Sequence, residues 1–277
     1  MAFKRAIAVL ALSFAASATP ALAQDHDTPN PPMNKWSFSG FFGKYDRGQL
    51  QRGFKVYKEI CLTCHGMQLL SFRNLAEPGG PGFTPAQAAT VAAEYKVKEV
   101  DDQGNPVERD GRVADRFPPP LTQFPNVKPP DMSVIAKARG YERGFPRWTD
   151  GSFTMGWVGD MFTQYQEHGV DYIVALLTGY ENSPPAGVTL PPATFYNKYF
   201  PGHAIAMPPP PLDTVTYTDG TPNTPQQVAK DVSAFLMWAA EPHLEARKRI
   251  GLQVMFFLVV FGFLLYFTKK KVWSSVH

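Results

Sequence analysis

The sequence predicts a mainly α-helical domain with long proline-rich loops, followed by one C-terminal transmembrane helix. Three observations lead there. Proline makes up 27 of 277 residues, about twice the usual ~5 %, so irregular connections must separate the helices. Two stretches, one around residues 50–61 and one around 224–241, carry apolar residues at the helical period. Near the end, Ile250–Thr268 is a run of 19 residues whose strongly polar members are Gln253 and Thr268. With 44 % hydrophobic and 18 % charged residues, the chain is neither a disordered polar polymer nor a polytopic membrane protein. Its two cysteines exclude a multi-disulfide scaffold and a four-cysteine zinc site.

The first element is a targeting segment. Lys4 and Arg5 precede an apolar run from Ala6 to Ala18, and Ala21-Leu22-Ala23 has the small-x-small pattern of a signal-peptidase site. Residues 1–23 are therefore expected to be a cleaved signal peptide, with the mature chain starting at Gln24. A transmembrane anchor is the alternative, but the run is shorter than the ~20 residues a bilayer needs. A single Arg and no amphipathic pattern argue against a mitochondrial transit peptide, which favours a bacterial exported protein.

The second element is a helix with Leu50, Phe54, Tyr57 and Cys61 on one face, at i, i+4, i+7 and i+11. It ends in Cys61-Leu62-Thr63-Cys64-His65, a C-x-x-C-H sequence of the kind that attaches haem in c-type cytochromes. Two thiols three positions apart reach two vinyl groups of one porphyrin, and the adjacent imidazole is held beneath the iron as an axial ligand. The competing readings are half of a zinc site and a thiol-disulfide oxidoreductase. The first lacks further cysteines, and a redox C-x-x-C usually opens a helix instead of closing one. The fold class sharpens accordingly to a cytochrome c-type haem domain with one covalent haem c.

Shorter helices are expected at Pro85–Val97 behind Thr84, at Met132–Ala138 behind Asp131, and at Asp171–Leu177. Glu77–Pro81, Val100–Arg116 and Phe117–Pro130 lack any period and read as loops.

A sixth iron ligand must come from elsewhere. Met67 is too close to the motif to reach the opposite haem face, Met255 lies in the anchor and Met237 inside a helix. Met207 stands in a loop and is followed by Pro208 to Pro211, a stiff support that suits a long, weak Met–iron bond. An ordinary proline-rich linker with a packed Met is the plainer reading, and His203 is the rival ligand. Thr224-Pro225-Gln226-Gln227 then reads as a capping box with Pro at the first helical position. It opens a helix with Val228, Val232, Phe235 and Ala239 on one face, ending at Glu241-Pro242 and expected to cross the helix that ends at Cys61.

The apolar run 250–268 is bracketed by Arg247, Lys248 and Arg249 on one side and Lys269, Lys270 and Lys271 on the other. Its length at 1.5 Å per residue spans the hydrocarbon core. Three cations on each flank leave the positive-inside rule undecided, so the signal peptide sets the orientation. Residues 24–249 form the periplasmic haem domain, 250–268 the transmembrane anchor and 269–277 the cytoplasmic tail of a single-pass protein of the bacterial cytoplasmic membrane.

The overall charge of +3 conceals an asymmetry. Residues 24–246 hold 19 Lys and Arg against 24 Asp and Glu, and within 150–246 only Lys198 and Lys230 oppose 10 acids. An acidic second half points away from nucleic acid and towards a basic partner. Asp160, Glu167, Asp171, Glu181, Asp213 and Asp219 flank the Met207 loop in sequence and are expected to steer that partner, with a steep ionic-strength dependence.

At this point the sequence resembles the cytochrome c1 family, the haem subunits of cytochrome bc1 complexes. The carriers are Trp36-Ser37-Phe38, Cys61 to His65, Pro129-Pro130-Asp131-Met132-Ser133, Leu176-Leu177-Thr178-Gly179-Tyr180 and Ala204-Ile205-Ala206-Met207-Pro208. Asp219-Gly220-Thr221-Pro222 and Val228 to Asp231 running on to Trp238-Ala239-Ala240-Glu241-Pro242 complete the set, ahead of the single anchor. The resemblance implies that Met207 is the distal iron ligand and His65 the proximal one. It further implies that the haem takes electrons from the Rieske iron-sulfur protein during quinol oxidation and passes them to a soluble or anchored cytochrome c. Cytochrome b, the lipid bilayer and a dimeric complex complete the implied partners. Arg116 is the candidate for the family's basic contact to a haem propionate. Some bacterial relatives brace the Met side with a further cysteine pair; with Cys61 and Cys64 alone, the proline run and packing must suffice here.

A haem with His and Met ligands is saturated, so this chain is expected to bind no oxygen and to perform no substrate chemistry alone; the resemblance implies that it takes part in an enzyme as the non-quinol-binding electron-transfer subunit of a quinol–cytochrome c reductase. A membrane-anchored monohaem cytochrome c of another respiratory complex is the alternative reading. An anchored periplasmic thiol-disulfide oxidoreductase is the alternative from a different class.

Overall fold

The computed structural model describes residues 28–101, 103–120, 122, 128–140 and 166–275. The expected signal peptide, Asp160 and part of the 117–130 loop lie outside the described residues.

Helix α1, Arg47–Glu59, starts where the Asp46 carboxylate accepts the Gln49 N–H at 3.0 Å. It buries Leu50, Phe54, Val56 and Tyr57, the stripe its period marks, and passes into a 3-10 turn over Cys61–Thr63. Helix α2, Pro85–Ala93, is closed at its start by a reciprocal Thr84–Gln87 capping box. It stops short of the expected Val97 because the chain turns into a hairpin. Strands β1, Lys96–Val100, and β2, Pro106–Asp110, pair antiparallel with Lys96 opposite Asp110 and Val100 opposite Pro106. Gly104, at φ +87°, supplies the turn that a side-chain-bearing residue rarely adopts. The expectation of a structureless Val100–Arg116 loop is thus corrected.

Helix α3 is a short Ile135–Ala138, and α4 runs His168–Thr178, one turn earlier than its expected start at Asp171. A second small hairpin follows, β3 Phe195–Tyr196 with β4 Ala204–Ile205. Helix α5, Pro225–Ala240, buries Val228, Val232, Phe235 and Ala239 as its period requires. Its start is capped from one direction: Thr224 Oγ1 accepts the Gln227 N–H at 3.3 Å, while the Gln227 side chain turns to Asp231 at 2.8 Å. The expected box is therefore half formed, because a buried carboxylate competes for that amide.

Helices α1 and α5 cross at the centre of the core, as their apolar faces predict. Gly53 makes the crossing possible: a Cβ there would lie 2.1 Å from the Asp231 carbonyl oxygen and 2.6 Å from Phe235 Cβ. Around this contact Phe54, Tyr57, Phe72, Phe117 and Phe235 form a continuous set of ring contacts, the closest being Phe72–Phe117 at 4.4 Å between centroids. Burying a side chain of the size of Phe235 contributes about 1.5–3 kcal/mol. Asp231, fully buried, is compensated by Arg52 Nε at 2.8 Å and by the amides of Gln49 and Gln227, as a carboxylate without water must be.

Helix α6, Leu244–Val272, extends the expected 250–268 span at both ends. It has a mean hydropathy of 2.4 in its apolar stretch, none of it buried, and is the one helix among the described residues long and apolar enough to cross a membrane.

Candidate haem site

The C-x-x-C-H segment leaves α1 in a tight turn, with the Cys64 and His65 N–H groups both donating to the Cys61 carbonyl at 3.0 and 2.8 Å. Cys61 and Cys64 are free and partly buried. Burial, with Cys64 alongside, pushes the Cys61 thiol up to about 12, the opposite of the activated thiolate on which a thiol-disulfide exchanger depends. Among the described residues no three His, Cys, Asp or Glu side chains come together as a metal cluster.

His65 is 92 % buried, with Nδ1 2.8 Å from the Pro130 carbonyl oxygen. That contact makes Nδ1 the N–H donor and leaves Nε2 with its lone pair free. Burial lowers the imidazole pKa against the opposing effects of the Pro130 hydrogen bond and Asp131, so the ring stays neutral. A neutral imidazole with one nitrogen fixed by a carbonyl is the usual form of a metal-ligating histidine. Two free thiols at this spacing beside such a ring fit a covalently bound haem.

The His65 side is held by chain that is distant in sequence. The Met132 N–H donates to the Gly66 carbonyl at 2.8 Å, and the Thr122 N–H to the Thr63 carbonyl at 2.9 Å. The Asp131 carboxylate accepts from Gln68 N at 2.9 Å and from Ser133 N at 2.8 Å. Ser133 Oγ accepts from Leu69 N at 3.0 Å, and Tyr57 Oη donates to the His65 carbonyl at 3.3 Å. Pro130, Asp131 and Ser133 belong to a block that carried the family resemblance without a role. A main-chain carbonyl acceptor leaves no residue signature by which it might have been found.

Arg116 lies beside the same segment. It forms a β-bridge with Ser71, and its exposed guanidinium Nη1 is 3.4 Å from the Gln68 carbonyl.

Met207 is half-buried in the loop after β4. Its carbonyl accepts from Tyr180 Oη at 3.0 Å, which ties the loop to the chain just beyond α4. Asn197, fully buried, reinforces that neighbourhood by donating from Nδ2 to the Leu176 carbonyl at 2.8 Å. His203 is built into the β3–β4 turn at φ +57°, with its ring stacked on Tyr196 and Nδ1 3.1 Å from the Asn197 carbonyl. Tyr180 stands in a block that carried the family resemblance, and its bond to the Met207 loop is a role the sequence did not assign.

The acidic surface is smaller than the charge count implies. Glu167 and Asp171 are buried, Asp171 accepting from Asn34 and from Trp36 Nε1 at 2.9 Å. Asp219 pairs with Arg52 at 2.7 Å. Of the acids expected to steer a partner, Glu181 and Asp213 remain exposed among the described residues without such a pair.

Residues 36–276 match the family model described as the Cytochrome C1 family. A protein of Bradyrhizobium diazoefficiens named cytochrome b/c1 is 56 % identical over 259 residues, 89 % of this chain and 36 % of that longer protein. Cytochrome c1 of Blastochloris viridis is 49 % identical over 287 residues, covering 98 % of this chain and 96 % of the relative. The cytochrome b-c1 complex catalytic subunit of Candida albicans mitochondria is 38 % identical over 256 residues, 89 % of this chain and 78 % of the relative.

Proposed function

The chain belongs to the cytochrome c1 family and serves electron transfer as the cytochrome c1 subunit of a bc1 complex, and from that premise we propose which of its residues do the work. The family and the C-x-x-C segment imply a covalent haem c. Cys61 and Cys64 carry its two thioethers, His65 is the proximal iron ligand and Met207 the distal one. When bound, the haem supplies one-electron exchange between ferric and ferrous iron.

The protein's part is to hold and tune. Pro130 orients the His65 ring and keeps its proton on Nδ1, and burial keeps the ring neutral. Tyr180 positions the Met207 main chain, and the prolines that follow keep the loop from coiling away. Arg116, next to the haem-binding turn, is the propionate contact. The buried imidazole with a single free nitrogen, directly after two free cysteines, is the observation that carries this reading.

Electrons arrive from the Rieske iron-sulfur protein and leave to a mobile cytochrome c, while quinol is oxidised elsewhere in the complex. Cytochrome b as partner is supported by the Bradyrhizobium relative, whose name joins b and c1. The apolar helix α6 and the leader pattern support this topology: residues 1–23 removed, 24–249 periplasmic, 250–268 across the bacterial membrane and 269–277 cytoplasmic, within a dimeric complex.

Haem staining after denaturing electrophoresis tests the assignment. The processed chain should stain, and both Cys61→Ala and Cys64→Ala should lose stain relative to the parent. A haem wholly extracted by acidified acetone from the parent would contradict it.

A further inference from the structure

The turn before α1 presents an unusual contrast. Trp36, Phe38 and Tyr45 are buried and in ring contact at 5.3 and 5.1 Å, whereas Phe41 and Phe42 between them are 53 % and 78 % exposed. The loop is closed at its base by the Lys44 N–H donating to the Ser37 carbonyl at 3.0 Å. Its tip is compressed: a Cβ on Gly43 would stand 2.2 Å from the Ser39 carbonyl oxygen. Phe41 and Phe42 thus stand outside the core that holds their neighbours.

The tip is fixed to the start of the apolar helix. Lys248 Nζ donates to the carbonyls of Phe38 and Gly40 at 2.5 and 2.6 Å, and the Tyr45 N–H donates to Glu245 at 3.0 Å. Tyr45 Oη also reaches the Met237 and Glu241 carbonyls at the end of α5. Lys248 precedes the first residue of the apolar run, Ile250, by about 3 Å along the helix axis. The two exposed rings therefore sit beside the level at which α6 becomes apolar. Lys44 follows Phe42 by two residues, Lys248 is bonded to the loop itself and Arg249 follows Lys248 on α6, which continues directly into its apolar run. Exposed aromatic rings rimmed by cations at the end of a membrane helix match the chemistry of the boundary between anionic headgroups and acyl chains. Trp273, 58 % exposed, occupies the corresponding place beyond the other end of the run.

We propose that the Ser39–Gly43 tip is a membrane foot: Phe41 and Phe42 enter the lipid interface beside the start of α6, and with Lys248 they give the haem domain a second footing on the bilayer. The proposal rests on α6 spanning the membrane, and the test separates the two.

Nitroxide labels are placed at Phe42→Cys and, separately, at Phe41→Cys, each keeping the other ring. Further labels go to Phe257→Cys in the middle of α6 and to Val100→Cys on the exposed hairpin. The holo subunit is studied in its assembled complex, in vesicles of phosphatidylcholine and phosphatidylglycerol, with identically treated parent complex as baseline. Collision with oxygen and with a water-soluble nickel chelate is measured at each site. Labels at 41 and 42 should favour oxygen several-fold relative to position 100, at a shallower depth than position 257. A label at 42 as open to nickel as position 100 would place the tip in water and overturn the proposal. A label at 42 immobilised and shielded from both reagents would show a protein surface covering it, and would also overturn it. Nickel access at 257 would remove the span itself, and the foot with it.

Discussion

The two sides of the proposed haem site are built by opposite means. Around His65 the chain is cross-braced: its ring is fixed by Pro130, and Thr63, Gly66, Gln68 and Leu69 each bond to the 122–133 segment. Around Met207 the described structure offers a half-buried loop, one side-chain bond from Tyr180 and a run of prolines. The difference follows the chemistry each side must serve. A covalently attached haem with a strong imidazole ligand gains from a rigid cradle, since movement there would strain two thioethers. A thioether sulfur makes a weaker bond to iron, so the loop carries more of the holding and small changes in its tether alter how easily the sulfur is displaced.

Removing a brace on the His65 side should cost stability and leave the electronic properties nearly intact. Asp131→Ala deletes bonds to the Gln68 and Ser133 amides, and hydrogen bonds to a charged group contribute about 1.5–3 kcal/mol each. Denaturant unfolding of the holo protein should shift by at least the lower of these values, while the haem potential rises only as far as loss of the Asp131 charge near His65 requires, far less than a change of ligand would move it. A large change of potential without loss of stability would break the comparison.

The Met207 side should respond the other way. Tyr180→Phe removes one neutral hydrogen bond, about 0.5–1.5 kcal/mol, the side-chain bond that holds the Met207 main chain among the described residues. Imidazole should then displace the sulfur ligand at concentrations about two- to ten-fold lower, read from loss of the long-wavelength sulfur-to-iron band in the ferric protein. Equal imidazole sensitivity in Tyr180→Phe and parent would show that the tether is carried elsewhere.

The smallest effect concerns docking. With Asp219 neutralised by Arg52 and Glu167 and Asp171 inside the protein, fewer charges remain to attract a basic cytochrome c. The rate of cytochrome c reduction by the complex should still fall as salt screens the interaction, but a Glu181→Lys, Asp213→Lys double variant should remove most of that dependence. Unchanged salt dependence in the double variant would move the steering surface away from the Met207 side.

How far the sequence foretold these features depended on whether a residue's partner was near it in the chain. The buried faces of α1 and α5 were legible because one apolar stripe repeated at the helical period, and the start of α5 also carried a capping residue, Thr224. The β1–β2 hairpin was not: Lys-Val-Lys-Glu-Val has four of its five residues exposed, so no strand alternation marked an inner face. The two-residue strands β3 and β4 are shorter than any pattern. Cys61, Cys64 and His65 announced themselves through contiguous spacing, whereas Pro130 and Tyr180 act through partners 65 and 27 residues away. The acidic balance misled for the same reason. Trp36 and Asn34 on Asp171, and Arg52 on both Asp219 and Asp231, are separated from those acids by 135 residues or more.

The account turns on Met207 as the distal ligand of a covalently held haem, and the reduction potential of Met207→His tests this most directly. Methionine ligation raises the potential of a His-ligated haem, and axial ligands together set haem potentials over about 0.8 V. Met207→His should retain stainable covalent haem and six-coordinate iron, with a potential lower by on the order of 100 mV or more and electron transfer from the iron-sulfur protein stalled. An unchanged potential in a folded, haem-loaded variant would contradict the account and assign the ligand to another residue, with His203 the first to examine.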